Sequence, residues 1–525
     1  MFASAIYDTR SDSVILARDR TGQKPLFFAL CENHTLIFSS SLRSIVASGL
    51  TGLKLRKDQL AFSLFNEYSE AGKTLVEGVY SVKPGEIVEW SLGSFHVKRK
   101  TYWSWNIARC EYESRPTYEP LKQKLKTALL SAISEELVSD VPIGLFLSGG
   151  IDSSLLLALG SQLTERRLST FSVSFKDNTL DESSFAQRLA RKFNAEHHDI
   201  PFDSFNTEDL ILEAMSSLDI PLGDSSYIPT FLLSKIASSY VKCALGGDGG
   251  DELFGGYPTY KAHRLLSLYE SFVPQFTRGL ILGRISRRLP VETTNINTKM
   301  KIDRFMAGRT MPFAQRHTTW MSTTYDVKRI LDIVGNEFSV ESDLFGGIES
   351  SLQESGIRDS VNAAQFIDLI GYLPGSIHSK VDCASMNNGL EVRSPYVNRL
   401  LLNAAESIIP DYRVGIRKSK IILRDIAKEC IPSSIANAPK KGFNFPAGKY
   451  LATSLKDPFH ERIKIFDNTF DCSVIKSTYE EHCKGIRDHR KLLWTTFSMA
   501  SWYGNIKEAA NTKVDFLESF QCIDD

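Results

Sequence analysis

The sequence lacks most of the features that assign a protein to a class at sight. Its eight cysteines are scattered singly over 525 residues without a C-x-x-C pair, which argues against zinc-ribbon, redox and disulfide-framework proteins and favours a reducing cytoplasm. Lys plus Arg and Asp plus Glu number 62 each, so charge gives no case for a nucleic-acid partner. No signal peptide opens the chain, and no run of about 18 apolar residues predicts a membrane span.

The length predicts two or three domains. In residues 1–115, short apolar runs such as Val14–Ala17, Pro25–Leu30 and Glu86–Trp90 are separated by turn residues, which is typical of a β-rich domain. In residues 116–525, an amphipathic helix over 121–137 is followed by alternating strands and helices, and the chain beyond about residue 260 is mainly helical. This alternation predicts an α/β domain with a parallel sheet and a helical C-terminal part.

A phosphate-binding loop is predicted at Ser148-Gly149-Gly150-Ile151-Asp152-Ser153-Ser154, between the apolar run 143–147 and a helix. Two glycines allow backbone N–H groups to curl around phosphate oxygens, and the helix N-terminus and three serines supply further donors. Asp152 would repel an anion unless a divalent cation lay between them, so magnesium pyrophosphate is the expected ligand. The loop lacks the G-x-x-x-x-G-K-[ST] pattern of the Walker type. A strand–helix turn capped by Asp or Ser is the alternative.

A second acidic, glycine-rich loop follows the strand predicted over 241–245, with the sequence Gly246-Gly247-Asp248-Gly249-Gly250-Asp251-Glu252. Three carboxylates within five residues favour a bound cation. A solvated calcium-type turn is the alternative, although it would not usually lie between a buried strand and the apolar pair Leu253-Phe254.

Together, S-G-G-x-D-S-S and G-D-G-G-D-E-L-F-G-G-Y resemble the glutamine-dependent asparagine synthetases of class B type. Shorter matches follow in the order found in that family: Asp181-Glu182, His197-His198, Asp219–Ser226, Tyr372-Leu373-Pro374, Lys380-Val381-Asp382, Ser385-Met386, Leu390–Pro395, Lys420–Arg424 and Lys440–Phe443. The resemblance implies an ATP-pyrophosphatase domain preceded by a glutaminase-like, Ntn-type domain. It also implies the reaction, in which the aspartate side chain is adenylated by ATP, pyrophosphate leaves, and ammonia displaces AMP.

The resemblance further implies roles for individual residues. Pyrophosphate would be held by Ser148, Gly149, Gly150, Ser153 and Ser154, and magnesium by Asp152 and Asp251. Phe146 and Val173 would contact adenosine, and Gly246 and Gly247 would line the nucleotide. Asp248 and Lys440 are the predicted catalytic residues, with Lys420 as a further ATP-binding cation. Glu391 and Arg393 are either a structural ion pair or substrate contacts. Two departures from the family pattern are Gly246, where serine is frequent, and Val397-Asn398, where Leu-Asp is usual.

The family begins with a processed N-terminal cysteine that hydrolyses glutamine. Here Leu16–Leu26 and Pro84-Gly85 resemble only the second half of that domain, and the first cysteine is Cys31. The sequence therefore predicts a truncated glutaminase-like domain over 1–115, whose missing half is lost or supplied by another polypeptide, and whose uncovered strand edges are a liability. Ammonia would come from solution, from a separate glutaminase partner or across a homodimer.

Three functions remain open from the sequence. The first is asparagine synthesis from aspartate, ATP and ammonia or glutamine. The second keeps acyl-adenylate chemistry with another carboxylate, as in amidotransferases acting on polysaccharide uronic acids or in β-lactam synthetases. The third is an inactive remnant that serves as a binding subunit.

Overall fold

The computed structural model of the chain describes residues 1–31, 34–92, 96–107, 109–112, 115–175, 183–272, 298–335, 344–438, 445–467 and 469–512. Within these residues, no helix is both long enough and apolar enough to cross a bilayer.

The N-terminal region contains two antiparallel sheets. One has the order β1-β2-β6-β7 and the other the order β4-β3-β5. The strands are β1 Ala3–Asp8, β2 Ser13–Arg18, β3 Phe27–Cys31, β4 Thr35–Ser39, β5 Val79–Ser81, β6 Glu86–Ser91 and β7 His96–Thr101. Leu16, Phe28 and Val88 are buried in a small core of their own. The helices of this region are α1 Leu42–Ala47, α2 Lys57–Asn66 and α3 Arg109–Tyr112.

A five-stranded parallel sheet forms the centre of the larger region. Its order is β10-β9-β8-β11-β12, and every pairing is parallel. The strands are β8 Ile143–Phe146, β9 Ser169–Ser174, β10 Glu196–Pro201, β11 Cys243–Leu245 and β12 Glu391–Arg393. Because the strands are parallel, their carboxyl ends meet at one edge, and both predicted loops lie there.

Helices cover both faces of this sheet, as a parallel sheet requires. On one face, Leu145 and Leu245 pack in a core with helices α4 Tyr118–Glu136, α5 Ile151–Leu163 and α6 Ser183–Lys192. On the other face, Phe171 and Val173 pack in a second core with α7 Thr207–Ser216 and α8 Tyr227–Ala237. Residues of α1 and α2 also belong to this second core, so the N-terminal region packs directly on the sheet domain.

The remaining elements are mainly helical. They are α9 Gly250–Phe254, α10 Pro258–Phe272, α11 Thr298–Gly308, α12 Phe313–Met321, α13 Val327–Val334, α14 Gly346–Ser355, α15 Ser360–Ile367, a π-helical segment Asp368–His378, α16 Ser379–Met386, α17 Arg399–Ala405, α18 Pro410–Arg413, α19 Ile421–Lys428, α20 Ser433–Ala436, α21 Ala447–Ala452, α22 Lys456–Ile463, α23 Cys472–Cys483 and α24 Arg490–Asn511. Short 3₁₀ turns cover Phe202–Ser204, Pro395–Val397 and Lys464–Phe466.

The predicted fold class is confirmed: a β-rich N-terminal region precedes a parallel α/β sheet and a helical C-terminal part. The predicted helix over 121–137 corresponds to α4, and the apolar run 143–147 to β8. The predicted domain boundary after residue 115 falls between α3 and α4 and stays a prediction. Strand β12 was not predicted, because three residues within a helical stretch carry no periodic signal.

Candidate nucleotide-binding site

The first loop forms a closed turn between β8 and α5. Gly149 has a φ of 76°, a left-handed conformation that glycine adopts without strain. The Ser148 Oγ accepts the Gly150 N–H at 3.3 Å and lies 3.2 Å from the Ser153 Oγ. These bonds link the two ends of the turn through its own serine side chains.

The loop presents the N-terminus of α5 at the carboxyl edge of the sheet. First-turn N–H groups of a helix have no intrahelical acceptor, which suits them to bind phosphate oxygens. Ser148 is exposed, whereas Ser154 is fully buried and its Oγ donates to the Gly150 carbonyl at 2.6 Å. The structure thus brings together the residues predicted to bind pyrophosphate, but the Ser154 hydroxyl already donates to a carbonyl at the start of the helix. Their contact with pyrophosphate stays a prediction.

The second loop lies directly against the first. The Gly246 N–H donates to the Arg393 carbonyl at 2.8 Å, which joins this loop to β12. A Cβ atom on Gly247 would lie 3.2 Å from the Asp152 Cβ, and one on Gly250 would lie 2.9 Å from the Asp152 Oδ1. Glycine at these two positions therefore allows the acidic loop to approach Asp152.

Lys420 lies between the two predicted metal ligands. Its Nζ is 2.6 Å from both carboxylate oxygens of Asp152 and 2.6 Å from the Asp251 Oδ1. The lysine side chain is 2% exposed, and the two aspartates are 12% and 11% exposed. Lys420, predicted as a further ATP-binding cation, joins both acidic loops in the structure.

The carboxylates at this edge have different surroundings. The Asp248 side chain is half-buried, and its backbone carbonyl accepts the Ser394 hydroxyl at 2.5 Å. Glu252 is buried and accepts the Tyr257 hydroxyl at 2.5 Å. Burial, reinforced by the charge of Asp251, raises the pKa of Glu252 to about 7. Glu252 therefore binds a proton more readily than an ordinary glutamate does.

The predicted adenosine contacts lie on neighbouring strands. Phe146 ends β8 and is half-buried, whereas Val173 lies on β9 and is 7% exposed. Both belong to the core on the α8 face of the sheet. Lys440, the second predicted catalytic residue, and Asp181-Glu182 lie outside the described residues.

Glu391 and Arg393 form the structural ion pair that was one of the two interpretations. The Arg393 Nε donates to the Glu391 Oε1 at 2.6 Å, and its Nη1 donates to the carbonyls of Glu136 and Val138. These bonds tie β12 to the end of α4. A contact with substrate is not tested by this geometry.

A magnesium ion is implied by the family resemblance. Among the described residues, no cluster of three or more His, Cys, Asp or Glu side chains forms a metal cage. Asp152 and Asp251 nevertheless converge on one point, which the Lys420 ammonium occupies. Two carboxylates that leave other positions to phosphate oxygens and water are a donor set typical of magnesium in nucleotide sites, so these residues fit the ion.

The comparisons with known proteins decide the family. The family model described as asparagine synthase matches residues 124–504. The chain belongs to the asparagine synthase family. A second model, described as a glutamine amidotransferase domain, matches residues 1–103. The predicted ATP-pyrophosphatase type of sheet domain is confirmed with the family, and the protein is an ATP-dependent ligase that forms C–N bonds.

Relatives in this family carry several names. Asparagine synthetase [glutamine-hydrolyzing] 1 of Bacillus subtilis is 25% identical over 96% of this chain and 77% of its own length. A putative asparagine synthetase 2 of Methanocaldococcus jannaschii is 31% identical over half of each chain. Amidase chyE of Penicillium rubens is 24% identical over 88% of this chain and 71% of its own.

Among solved structures, an NH3-dependent NAD synthetase from Campylobacter jejuni is 19% identical, covering 36% of this chain and 97% of that chain. Its TM-score is 0.20, too low to carry an argument.

Sequence reasoning about this asparagine synthase family member missed three residues around the site. Tyr396 donates its hydroxyl to the Asp152 carbonyl at 3.1 Å. A Cβ atom on Gly256 would overlap the Asp251 carboxylate and the Lys420 side chain. Arg424 bonds the segment that carries Lys420. Gly256 and Arg424 each lie within a quoted motif, but their roles depend on chain folding that spacing does not reveal.

Proposed function

We propose that this protein activates a carboxylate by adenylation with ATP and transfers the acyl group to ammonia, with the aspartate side chain as the first candidate acceptor. The observation that carries the proposal is the convergence of two loops at the carboxyl edge of a parallel sheet. There Asp152 and Asp251 meet on the Lys420 ammonium, beside the N-terminus of α5.

In the proposed first step, a carboxylate oxygen of the acceptor bonds to the α-phosphorus of ATP, and the bond to the β-phosphate breaks. Four anionic groups then crowd one edge of the sheet: the acceptor, the triphosphate, Asp152 and Asp251. Magnesium, held by those two aspartates, would supply charge neutralisation. Lys420 and the α5 N-terminus neutralise the rest, while Ser148, Gly149 and Gly150 orient the leaving pyrophosphate.

In the second step, ammonia bonds to the acyl carbon and the bond to AMP breaks, with loss of one proton from nitrogen. Asp248 lies in the acidic loop between β11 and α9, and we assign it to the forming acyl-adenylate and the incoming nitrogen. Its backbone is held by Ser394. Lys440 remains the proposed cation for the pentacoordinate phosphorus.

Ammonium, rather than glutamine, is the proposed nitrogen source of the chain alone. Cys31 is the one cysteine among residues 1–103, where the glutamine amidotransferase model matches. It lies within β3, and burial raises the pKa of its thiol. A nucleophilic cysteine needs the opposite shift, toward thiolate.

A partner polypeptide would explain the surface of the N-terminal sheets. Ile6 and Tyr7 on the edge strand β1 are each 55% exposed, and Leu30 and Phe38 of the other sheet are each 44% exposed. Such edges and apolar faces favour pairing with another chain. We propose a separate glutaminase partner or a second copy of this chain. The described cysteines are free thiols, which supports a cytoplasmic location.

The test is ATP–pyrophosphate exchange measured with aspartate and with other carboxylates, including uronic acids and β-amino acids. Exchange with aspartate, followed by asparagine formation on adding ammonium, is the expected result. Exchange only with another acid would identify that class of acid as the acceptor. Other acids are included because one relative is named an amidase and not an asparagine synthetase. If no acid supports exchange, the remaining interpretation is an inactive protein that serves as a binding subunit. Efficient asparagine formation from glutamine by the purified chain would contradict the assigned nitrogen source.

A further inference from the structure

Arg424 is a buried arginine that bonds three backbone carbonyls from two segments. It is 8% exposed and lies in α19. Its Nε donates to the Ser419 carbonyl at 2.7 Å, and its Nη1 donates to the carbonyls of Ala436 and Ala438 at 2.6 and 3.0 Å. One guanidinium thus joins the residue before Lys420 to the end of α20.

The positive charge of Arg424 interacts with the two aspartates of the site. In the part of the chain that the structure describes, its hydrogen bonds go to carbonyls, and the acids whose charges act on it are Asp152 and Asp251. Burial lowers its pKa, but a guanidinium still keeps its proton at neutral pH. Two cations, Lys420 and Arg424, therefore balance the charges of two carboxylates, which are those of Asp152 and Asp251.

Lys420 needs to be held in place. It is 1% exposed and has a φ of 54° and a ψ of 40°, a left-handed conformation that side chains other than glycine rarely adopt. The Arg424 N–H donates to the Lys420 carbonyl at 2.8 Å, and the Arg424 side chain holds the carbonyl of Ser419. The same arginine thus bonds the peptide groups on both sides of Lys420.

We propose that Arg424 is a positioning residue, which fixes the left-handed backbone at Lys420 so that its ammonium stays between Asp152 and Asp251. The inference rests on the proposed adenylation for its effect on rate. It assigns to Arg424 no contact with substrate. Since three carbonyls accept from one planar fork, the geometry of the guanidinium matters as well as its charge.

The test compares Arg424→Lys, which keeps the charge, with Arg424→Gln, which removes it. We expect both variants to lower exchange turnover by at least about 30-fold, with the KM for ATP changed less than about threefold. Arg18→Lys is the matched control, because Arg18 is also 8% exposed and also donates to three carbonyls, of Lys24, Val82 and Gly22. The control is expected to lose thermal stability while its turnover at low temperature stays within about twofold.

A second measurement does not depend on activity. An amine-reactive label followed by mass spectrometry should leave Lys420 unmodified in the wild type and in Arg18→Lys, and should modify it in both Arg424 variants under conditions where all remain folded. Arg424→Lys with wild-type turnover and a protected Lys420 would overturn the inference. Absence of exchange in the wild type would instead refute the proposed function, and labelling would then decide the role of Arg424 alone.

Discussion

Replacing Lys420 by methionine tests whether Asp152 and Asp251 form a magnesium site. Methionine keeps the apolar stem but removes the ammonium, which lies 2.6 Å from oxygens of both aspartates. All three side chains are at most 12% exposed, and removing one member of such a buried ionic group costs about 3–5 kcal/mol. We expect the free energy of unfolding of Lys420→Met, measured by urea denaturation in EDTA, to fall by that amount.

Magnesium should restore much of this loss, because a divalent cation can take the place of the ammonium between the carboxylates. Binding to the folded state alone stabilises it by about 2.7 kcal/mol at a hundredfold excess over Kd. In the wild type the ammonium already occupies that point, so magnesium without ATP should stabilise it much less. Titration of magnesium into both proteins, followed by thermal unfolding and calorimetry, gives the comparison.

Two controls separate this effect from general salt effects. Lys380→Met also removes a buried lysine, but among the described residues Lys380 contacts a single carboxylate, that of Asp224, at 2.9 Å, together with the Ser226 hydroxyl. It should lose stability without gaining from magnesium. Adding Asp152→Asn to Lys420→Met should abolish the gain. The reasoning fails if Lys420→Met unfolds like the wild type, or if magnesium stabilises the two equally.

Three further results are expected. Gly256→Ala should lower exchange and stability, because its Cβ would overlap the Asp251 carboxylate, whereas Gly52→Ala, with no atom within 4 Å of the added Cβ, should change neither. Asp152→Asn should abolish ATP–pyrophosphate exchange while circular dichroism shows an intact fold; unchanged exchange would remove this residue from the site. Burial lowers the pKa of His378 to about 4, below the unfolded value of about 6.5. Stability should therefore fall between pH 6.5 and 4, and in urea unfolding His378→Gln should lose about 2 kcal/mol less than the wild type on acidification from about pH 7.5 to 4.5.

The loops at Ser148 and Asp248 could be located from the sequence because each combines glycines with acidic or hydroxyl residues at the end of a buried strand. That pattern depends on local geometry, which spacing along the chain records. The strands β8 and β9 were recognisable for the same reason, since each is a short apolar or β-branched run.

The position of Lys420 between two aspartates could not be predicted in the same way. It depends on contacts that span 268 residues along the chain, and on a left-handed backbone that no lysine favours by itself. Strand β12 shows a similar limit: three residues within a helical stretch become a strand because β11 offers them a partner. Tertiary packing determines both the position of Lys420 and the formation of β12, so local propensity does not predict either of them.

The position of β12 in the sequence also determines when, during synthesis, the acidic loop can form its hydrogen bonds. The Gly246 N–H donates to the Arg393 carbonyl, and the Asp248 carbonyl accepts the Ser394 hydroxyl. The acidic loop therefore leaves the ribosome roughly 150 residues before Arg393 and Ser394 do. Lys420 follows later still. Because domains form from the N-terminus during synthesis, a nascent chain carries both acidic loops without the strand and the cation that fix them. The site that we propose for carboxylate activation is therefore complete only in a chain that extends past Lys420, and we expect a chain that stops before residue 391 to consume no ATP.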